Sequence, residues 1–444
     1  MPQSDHLPGF IRARLEGRPT LRRAIDNSFW LFADQILRMA LGLVVGVWMA
    51  RHLGPENFGW LNFALATVGV VGSLTSLGVG PIVVRELVRD PHAAAGWLGT
   101  AWALRTAGAA VGFLACVAIA WRQGAPAGSL VLIVGAGLVV QVPEIADLWF
   151  QARGESKVSA CVRMAACVGA NIIRVALILW DAPLAWFAAT GVAELGLAAI
   201  GWWWAVRRAG ARWAQWRPGR ARVAALLRES WPLTLSGFAI SAQAHADQLV
   251  LGALIGGEEL GQYAAALRLV NVFTFVPMVV QTVAAPELTR ARRDDENLYR
   301  ARLHRLYRLM LGIFVLTAVP LVLLGPPAVH LLYGGAYAGA AALIPWLVFR
   351  LFLTNYGVAR SLFVTNEGLF RFALLTSLAG AGLNLALNFA LVPPWGARGA
   401  IVASLASFAL TIFGLEWLDA RARWNLRLML RAIFLPWRGD PGAP

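Results

Sequence analysis

Twelve long apolar stretches divide this chain almost evenly into two halves, and nearly every turn between them is marked by charge. A run of about 20 apolar residues is the length that crosses a bilayer core. Hydrocarbon offers no partner to backbone N–H and C=O groups, so an open chain crosses only as a helix. The expected fold class is therefore an all-α polytopic membrane protein of about 12 transmembrane helices. The stretches run over 27–50, 59–80, 97–121, 129–150, 158–180, 184–206, 231–255, 262–285, 306–325, 341–363, 370–392 and 399–420. Composition agrees, with 58% hydrophobic residues and 14% charged; a soluble chain carries about a quarter charged. No cleavable signal peptide is expected, because the first apolar run is longer than a signal core and lacks a small-residue cleavage site.

The net charge is +15, and nearly all of it is arginine, Lys157 being the single lysine. Such a balance could point to nucleic acid. The distribution argues against that partner, because the arginines stand in short loops on alternating sides. The leader, the even-numbered loops and the tail hold 29 basic residues, against Arg51, Arg122 and Arg398 on the opposite side. Positive loops stay cytoplasmic, so both termini are expected in the cytoplasm. Tryptophans near the span ends, among them Trp48, Trp60, Trp97, Trp121, Trp149 and Trp180, suit interfacial anchoring. Cys116, Cys161 and Cys167 have no metal-site spacing and are expected to be small core residues.

The halves repeat. Leu53-Gly54-Pro55-Glu56-Asn57-Phe58-Gly59 follows the first span, and Ile255-Gly256-Gly257-Glu258-Glu259-Leu260-Gly261 follows the seventh. Both read aliphatic-Gly-x-Glu-x-apolar-Gly. Six spans per half is an even number, so the halves share one orientation, as in transporters built from parallel repeats around a central cavity. The expected organisation is a basic leader (1–26), an N-terminal six-helix bundle (27–206), a basic cytoplasmic linker (207–230), a C-terminal bundle (231–420) and an amphipathic tail (421–444). The linker is the expected hinge. The tail is expected to lie on the inner face with its arginines toward anionic phospholipids. The longest outer loop is expected over Pro326 to Ala340.

Enzyme signatures are missing: no His-x4-Asp, no Asp-x-Asp, no phosphate-binding glycine loop, and no loop large enough for a catalytic domain. No metal, cofactor or catalytic residue is expected. The informative residues are charges inside the spans, each costing about 2.5–3.5 kcal/mol at the bilayer centre. Arg38, Arg174, Arg268 and Arg350 are the arginines at depth, and Asp34, Glu194 and Asp247 the acids. Asp34 and Arg38 are four apart on one helix face, a spacing that also allows a simple pair. Asp247 stands with His245 and Gln248, as a cation or proton site or as a structural cluster. Arg105, Arg163 and Arg360 sit near cytoplasmic ends and are expected to snorkel. Glu144 and Asp147 are expected to be solvated. Asn171, Asn355, Asn384 and Asn388 are read as interhelical hydrogen-bonding groups. Several arginines around a cavity favour an anionic substrate, since guanidinium grips phosphate in a forked, two-bond manner.

Ala50-Arg51-His52-Leu53-Gly54-Pro55-Glu56-Asn57-Phe58-Gly59 resembles the segment joining the first two spans of bacterial polysaccharide-biosynthesis flippases, the Wzx-like proteins. Further agreement lies in Leu77-Gly78-Val79-Gly80 through Arg85-Glu86, in Asp247 with Leu251-Gly252, in Gly261-Gln262-Tyr263 with Arg268-Leu269, in Leu332-Tyr333-Gly334, and in Pro394-Trp395-Gly396-Ala397-Arg398-Gly399-Ala400. The resemblance spans essentially the whole chain. It implies membership of the superfamily that also holds multidrug exporters and lipid II flippases, a V-shaped pair of six-helix bundles, and transport of an undecaprenyl-diphosphate-linked oligosaccharide to the outer leaflet. Arg38 and Arg268 occupy the positions of the family's cavity arginines on the first and eighth helices. On this reading Arg38, Arg268 and Arg350, with Arg174 a weaker member, hold the diphosphate. Asp247 and Asp34 couple to a proton or sodium gradient or orient the arginines, and other polysaccharide-assembly membrane proteins are partners. The alternative is a cation-coupled multidrug antiporter of the same fold, for which an acid-dominated cavity is expected. A membrane enzyme such as a polymerase is disfavoured by the missing loop domain.

Overall fold

A computed structural model describes residues 19–434 and, among them, contains only helices and turns. The first 18 residues of the basic leader, and Trp437 and Arg438 of the tail, lie outside the described residues. The helices in chain order are α1 (Pro19–Thr75), α2 (Gly80–Arg89), α3 (Ala94–Gln123), α4 (Ala127–Val140), α5 (Ile145–Ala152), α6 (Ser156–Leu179) and α7 (Leu184–Arg208). Then come α8 (Arg220–Leu254), α9 (Gly257–Asn271), α10 (Phe275–Asp294), α11 (Glu296–Tyr333), α12 (Ala338–Glu367), α13 (Phe370–Ile412) and α14 (Arg423–Phe434).

Nine stretches among the described residues are long and apolar enough to cross a membrane. Two of these, Phe32–Thr75 and Phe370–Leu418, each supply two crossings, because the backbone breaks at Gly54 and at Gly396. The more polar α8 supplies the seventh crossing, so the twelve expected spans are all present. Prolines within the helices are tolerated because lipid offers the backbone no better partner than the helix itself. That is why α11 continues through Pro326 and Pro327 to Tyr333. The expected outer loop over 326–340 therefore shrinks to a short turn at Gly334–Tyr337.

The chain forms two compact units. One comprises residues 1–52 and 64–237, the other 53–63 and 238–444. Residues 207–230, the expected hinge, are folded onto the first unit. A Cβ at Gly99 would strike the backbone of Trp216 and Arg217. Gly219 N–H donates to Thr100 Oγ1 at 3.2 Å. Trp102, Trp213 and Trp216 form an aromatic cluster with centroids 4.4–6.3 Å apart. Arg85 Nη2 donates to Glu229 Oε2 at 2.9 Å. The boundary between the units falls instead between Gly237 and Phe238, within continuous α8.

The second unit brings the two repeat segments into contact. Gly54 and Gly256 hold equivalent repeat positions and both have left-handed φ, +73° and +120°, a conformation open to glycine at little cost. A Cβ on Gly59 would strike the Gly257 carbonyl, and one on Gly261 would strike the Pro55 carbonyl. Pro55 corresponds to Gly257 and Gly59 to Gly261, so the contact is reciprocal. Small residues four apart allow this backbone approach. The neighbouring motif residues serve the same packing. Glu259 Oε1 accepts from Ala397 N–H at 2.7 Å, just past the break at Gly396. Gln262 donates to Ala336 O and accepts from Ala340 N–H at the start of α12.

The tail helix α14 is less peripheral than expected. Leu426, Met429 and Ala432 are buried against the second unit's core, with Arg427 and Arg431 on the exposed face. Asn425 is fully buried; it accepts from Tyr307 Oη at 2.8 Å and donates to Glu416 at 3.2 Å. Cys116 and Cys167 are buried as expected, whereas Cys161 is exposed, because its position on α6 faces away from the unit.

Gly59→Val should lower stability by about 3 kcal/mol through overpacking, read as a fall in the melting temperature of detergent-solubilised protein. Gly312→Ala, where added bulk meets open space, should raise it by about 0.5 kcal/mol. Equal effects of the two would refute the close-contact account. The hydrogen bond from Arg85 holds the Glu229 carboxyl below its ordinary range. The stability it lends is complete above about pH 4.3 and disappears as pH falls through the lower folded-state value. Glu229→Gln should therefore cost the same at pH 5 and pH 8, and less in high salt, because both partners are exposed.

Candidate functional site

The first unit carries a chain of alternating charges across four helices. Asp147 on α5 lies buried and accepts from Arg163 Nη1 at 3.0 Å and Gln151 Nε2 at 2.8 Å. Arg163 Nε on α6 donates to Asp34 Oδ2 on α1 at 3.0 Å, and Asp34 Oδ1 accepts from Arg38 Nε at 2.9 Å. Arg38 Nη1 reaches Glu194 Oε1 on α7 at 3.4 Å. Glu194 Oε2 accepts from Arg174 Nη2 at 3.0 Å, and Arg174 also donates to Thr190 Oγ1 and Asn171 Oδ1. Three guanidinium groups thus face three carboxylates. The Asp34–Arg38 pair foreseen from the spacing exists and needs both Arg163 and Glu194 to complete it.

These contacts correct two expectations. Arg163 does not snorkel and Asp147 is not solvated; each neutralises the other inside the bundle, which costs less than exposing either to hydrocarbon. Pro143 makes the geometry possible. It introduces a 3-10 turn at Val142–Glu144 between α4 and α5 that turns Asp147 inward. Glu144, at the same turn, pairs with Arg105 at 3.2 Å. A cavity of about 100 Å³ opens beside the chain, lined by Arg38, Arg163, Glu194, Gln141, Glu144 and Trp202. That is room for about three water molecules. Of the three linked arginines, Arg38 is the most open, with 32% of its side chain exposed against 20% for Arg163 and Arg174.

The second unit holds a separate, closed cluster. Asp247 is fully buried; its Oδ2 accepts from Tyr263 Oη at 2.7 Å and Arg350 Nη1 at 3.1 Å, and its Oδ1 from Asn388 Nδ2 at 3.1 Å. Arg350 Nη1 also lies 3.3 Å from Ser404 Oγ, and the guanidinium stands over the Phe408 ring. Asn384 bonds Ser407 at 2.9 Å. His245, expected beside Asp247, instead meets Ser241 O through Nδ1 at 2.9 Å, because it sits elsewhere on the turn of α8. Arg360, expected to snorkel, is buried with Glu416 at 2.6 Å. The Arg268 guanidinium lies 5.7 Å from the Phe58 ring centre in the repeat contact. Of the asparagines, Asn355 bridges helices to Met310 O, while Asn171 bonds Cys167 O within its own helix. Among the described residues no group of three or more His, Cys, Asp or Glu is placed to hold a metal.

The arginines at depth are thus brought together in part. Arg38 and Arg174 share Glu194, Arg350 belongs to Asp247, and Arg268 stands by Phe58 in the repeat contact. Sequence reasoning missed Arg163, Asp147 and Tyr263. The signals available were the spacing of four between Asp147 and Gln151 and the motif position of Tyr263 beside Gly261.

A family model described as polysaccharide biosynthesis protein matches residues 24–292. The chain belongs to that family. Solved structures of the MOP superfamily share its fold. An inward-facing multidrug-resistance MATE transporter superposes with a TM-score of 0.70 at 14% identity, covering 89% of this chain and 96% of its own. The lipid II flippase MurJ, in an inward closed conformation, gives 0.70 at 12% identity, with coverage of 92% and 91%. A MOP-superfamily transporter from Pyrococcus furiosus, whose reverse pocket polarity has been taken to suggest a different function, gives 0.61 at 14% identity, with coverage of 92% and 96%. No curated protein matches the chain. This member of the polysaccharide biosynthesis family is thus a multi-pass membrane protein with the fold of transporters and flippases.

Removing Arg350 should be more damaging than removing the whole ion pair. Arg350→Met leaves Asp247 buried and uncompensated, at a cost of about 3–5 kcal/mol. Adding Asp247→Asn should recover most of the lost melting temperature. A double variant no more stable than the single one would show that the pair is not the unit of stability.

Proposed function

We propose that this protein is a flippase for undecaprenyl-diphosphate-linked oligosaccharide. It moves its cargo from the cytoplasmic to the outer leaflet of the bacterial inner membrane by alternating access, with both termini cytoplasmic and without enzymatic chemistry. The observation that carries this reading is the family match over residues 24–292, which contains the entire alternating-charge chain. The arginine surplus in the loops supports the orientation.

The geometry supports a specific way of holding the diphosphate. Arg38, in the middle of the chain, is the most exposed of its three arginines, and its 3.4 Å contact with Glu194 is the longest ion pair in that chain. A diphosphate offers guanidinium a stronger, two-bond partner than a single carboxylate oxygen. It displaces Glu194 from Arg38, while Arg174 keeps Glu194 compensated. Departure of the cargo restores the pair, so no bare charge is left in the bilayer at either stage. Arg174 thereby acts through Glu194. In the other unit Arg350 and Asp247 neutralise each other, and Asp247 remains the candidate for coupling to a proton or sodium ion.

A cation-coupled multidrug antiporter is the second reading. The equal number of carboxylates and guanidinium groups in the first unit's ion-pair chain favours it more than an arginine-only cavity would, as does the MATE superposition. Proteoliposomes containing a defined polyprenyl-diphosphate oligosaccharide separate the two. The flippase reading requires leaflet exchange of the lipid-linked sugar, and Arg38→Ala should slow it by about tenfold or more, the worth of one charged hydrogen bond. Glu194→Gln should bind the carrier more tightly while turning over more slowly. Gradient-driven uptake of a cationic dye, with no exchange of the lipid-linked sugar, would transfer the assignment to the antiporter.

A further inference from the structure

The second unit contains a larger recess that the charge clusters do not use. It lies between α10 and α11, encloses about 540 Å³, and is lined by Val279, Val283, Leu306 and Leu309 with Glu287, Arg302 and Arg305. The two helices run antiparallel across the turn at Asp295. The polar and apolar lining residues therefore separate along the recess: Arg302, Arg305 and Glu287 stand at the arginine-rich end, and Val279, Val280 and Leu309 stand further into the span. Seven residues of helix from Arg302 to Leu309 put about 10 Å between the two levels. Val283 and Leu309 are exposed, so the recess opens to the surroundings of the unit. Arg302 is fixed by a bond from Nη1 to Glu287 O at 3.1 Å.

We propose that this recess binds an anionic phospholipid of the inner leaflet, with its phosphodiester at Arg302 and Arg305 and its acyl chains along the valine and leucine wall. Three features select that occupant. The charge-to-apolar axis runs along the membrane normal, as an amphiphile in the leaflet does. Guanidinium groups recognise phosphate oxygens by forked hydrogen bonds. The rim carries two cations and one carboxylate, a positive surplus that suits a phosphodiester. The end that bears Arg290, Arg292, Arg293, Arg300, Arg302, Arg305 and Arg308 is the cytoplasmic one by the charge rule for loops, where the leaflet itself is anionic.

The test uses the full-length protein in detergent, incubated with phosphatidylglycerol or with phosphatidylcholine of the same chains, and native mass spectrometry to count retained lipid. Phosphatidylglycerol should be retained about thirtyfold over phosphatidylcholine, the expected scale for two basic residues at a lipid surface. The double variant Arg302→Gln/Arg305→Gln should fall to the phosphatidylcholine level with its melting temperature kept. Val283→Trp, which fills the apolar part and keeps both arginines, should lower retention as well. Equal retention of the two lipids by the native protein would overturn the proposal. So would full retention by Val283→Trp, or displacement of phosphatidylglycerol by equimolar undecaprenyl diphosphate, which would give the recess to the carrier lipid instead.

Discussion

A charge inside a bilayer must meet an opposite charge or water, and much of this protein's interior is organised around that requirement. Arg38, Arg163 and Arg174 face Asp34, Asp147 and Glu194 in one unit; Arg350 faces Asp247 and Arg360 faces Glu416 in the other. Breaking such a pair by removing one member costs far more than the pair contributes. The helices are therefore locked in register by polar contacts, since apolar faces in lipid provide little drive to associate. Among the linked arginines Arg38 is the most exposed and has the longest ion pair, 3.4 Å to Glu194.

The repeat segments show the same economy in backbone form. Gly59, Gly257 and Gly261 allow two helices to approach until a Cβ has no room. The residues around them then serve neighbouring helix starts. Glu259 meets Ala397 beyond the Gly396 break, Gln262 meets the start of α12, and Tyr263 meets Asp247. One short motif thus fixes the packing of α9, the restart of α13 and the environment of the buried acid. Structures at 12–14% identity keep this fold.

The all-helical class, the twelve crossings and the internal repeat were legible in the one-dimensional pattern, because span length and loop charge are local properties. The pair at Asp34 and Arg38 was legible for the same reason, being four residues apart on one helix. The partners of that pair were not. Arg163 lies 129 residues from Asp34, and Glu194 lies 156 from Arg38. Depth estimated from span position placed Arg163, Arg360 and Asp147 near water, yet each faces inward once its helix is rotated by packing. Pro326-Pro327 read as a loop because proline breaks helices in water, whereas in this apolar setting α11 runs on.

Period, length and charge along the chain were thus enough to determine a helical membrane protein with two alike halves and an arginine surplus in alternate loops. Which arginines own a carboxylate, which one stays open, and that the linker is folded against the first unit came from three-dimensional packing alone. The physical reason is that helix rotation and long-range pairing are set by contacts between residues far apart in sequence, and hydrophobic periodicity that is nearly uniform around a membrane helix says little about which face turns inward.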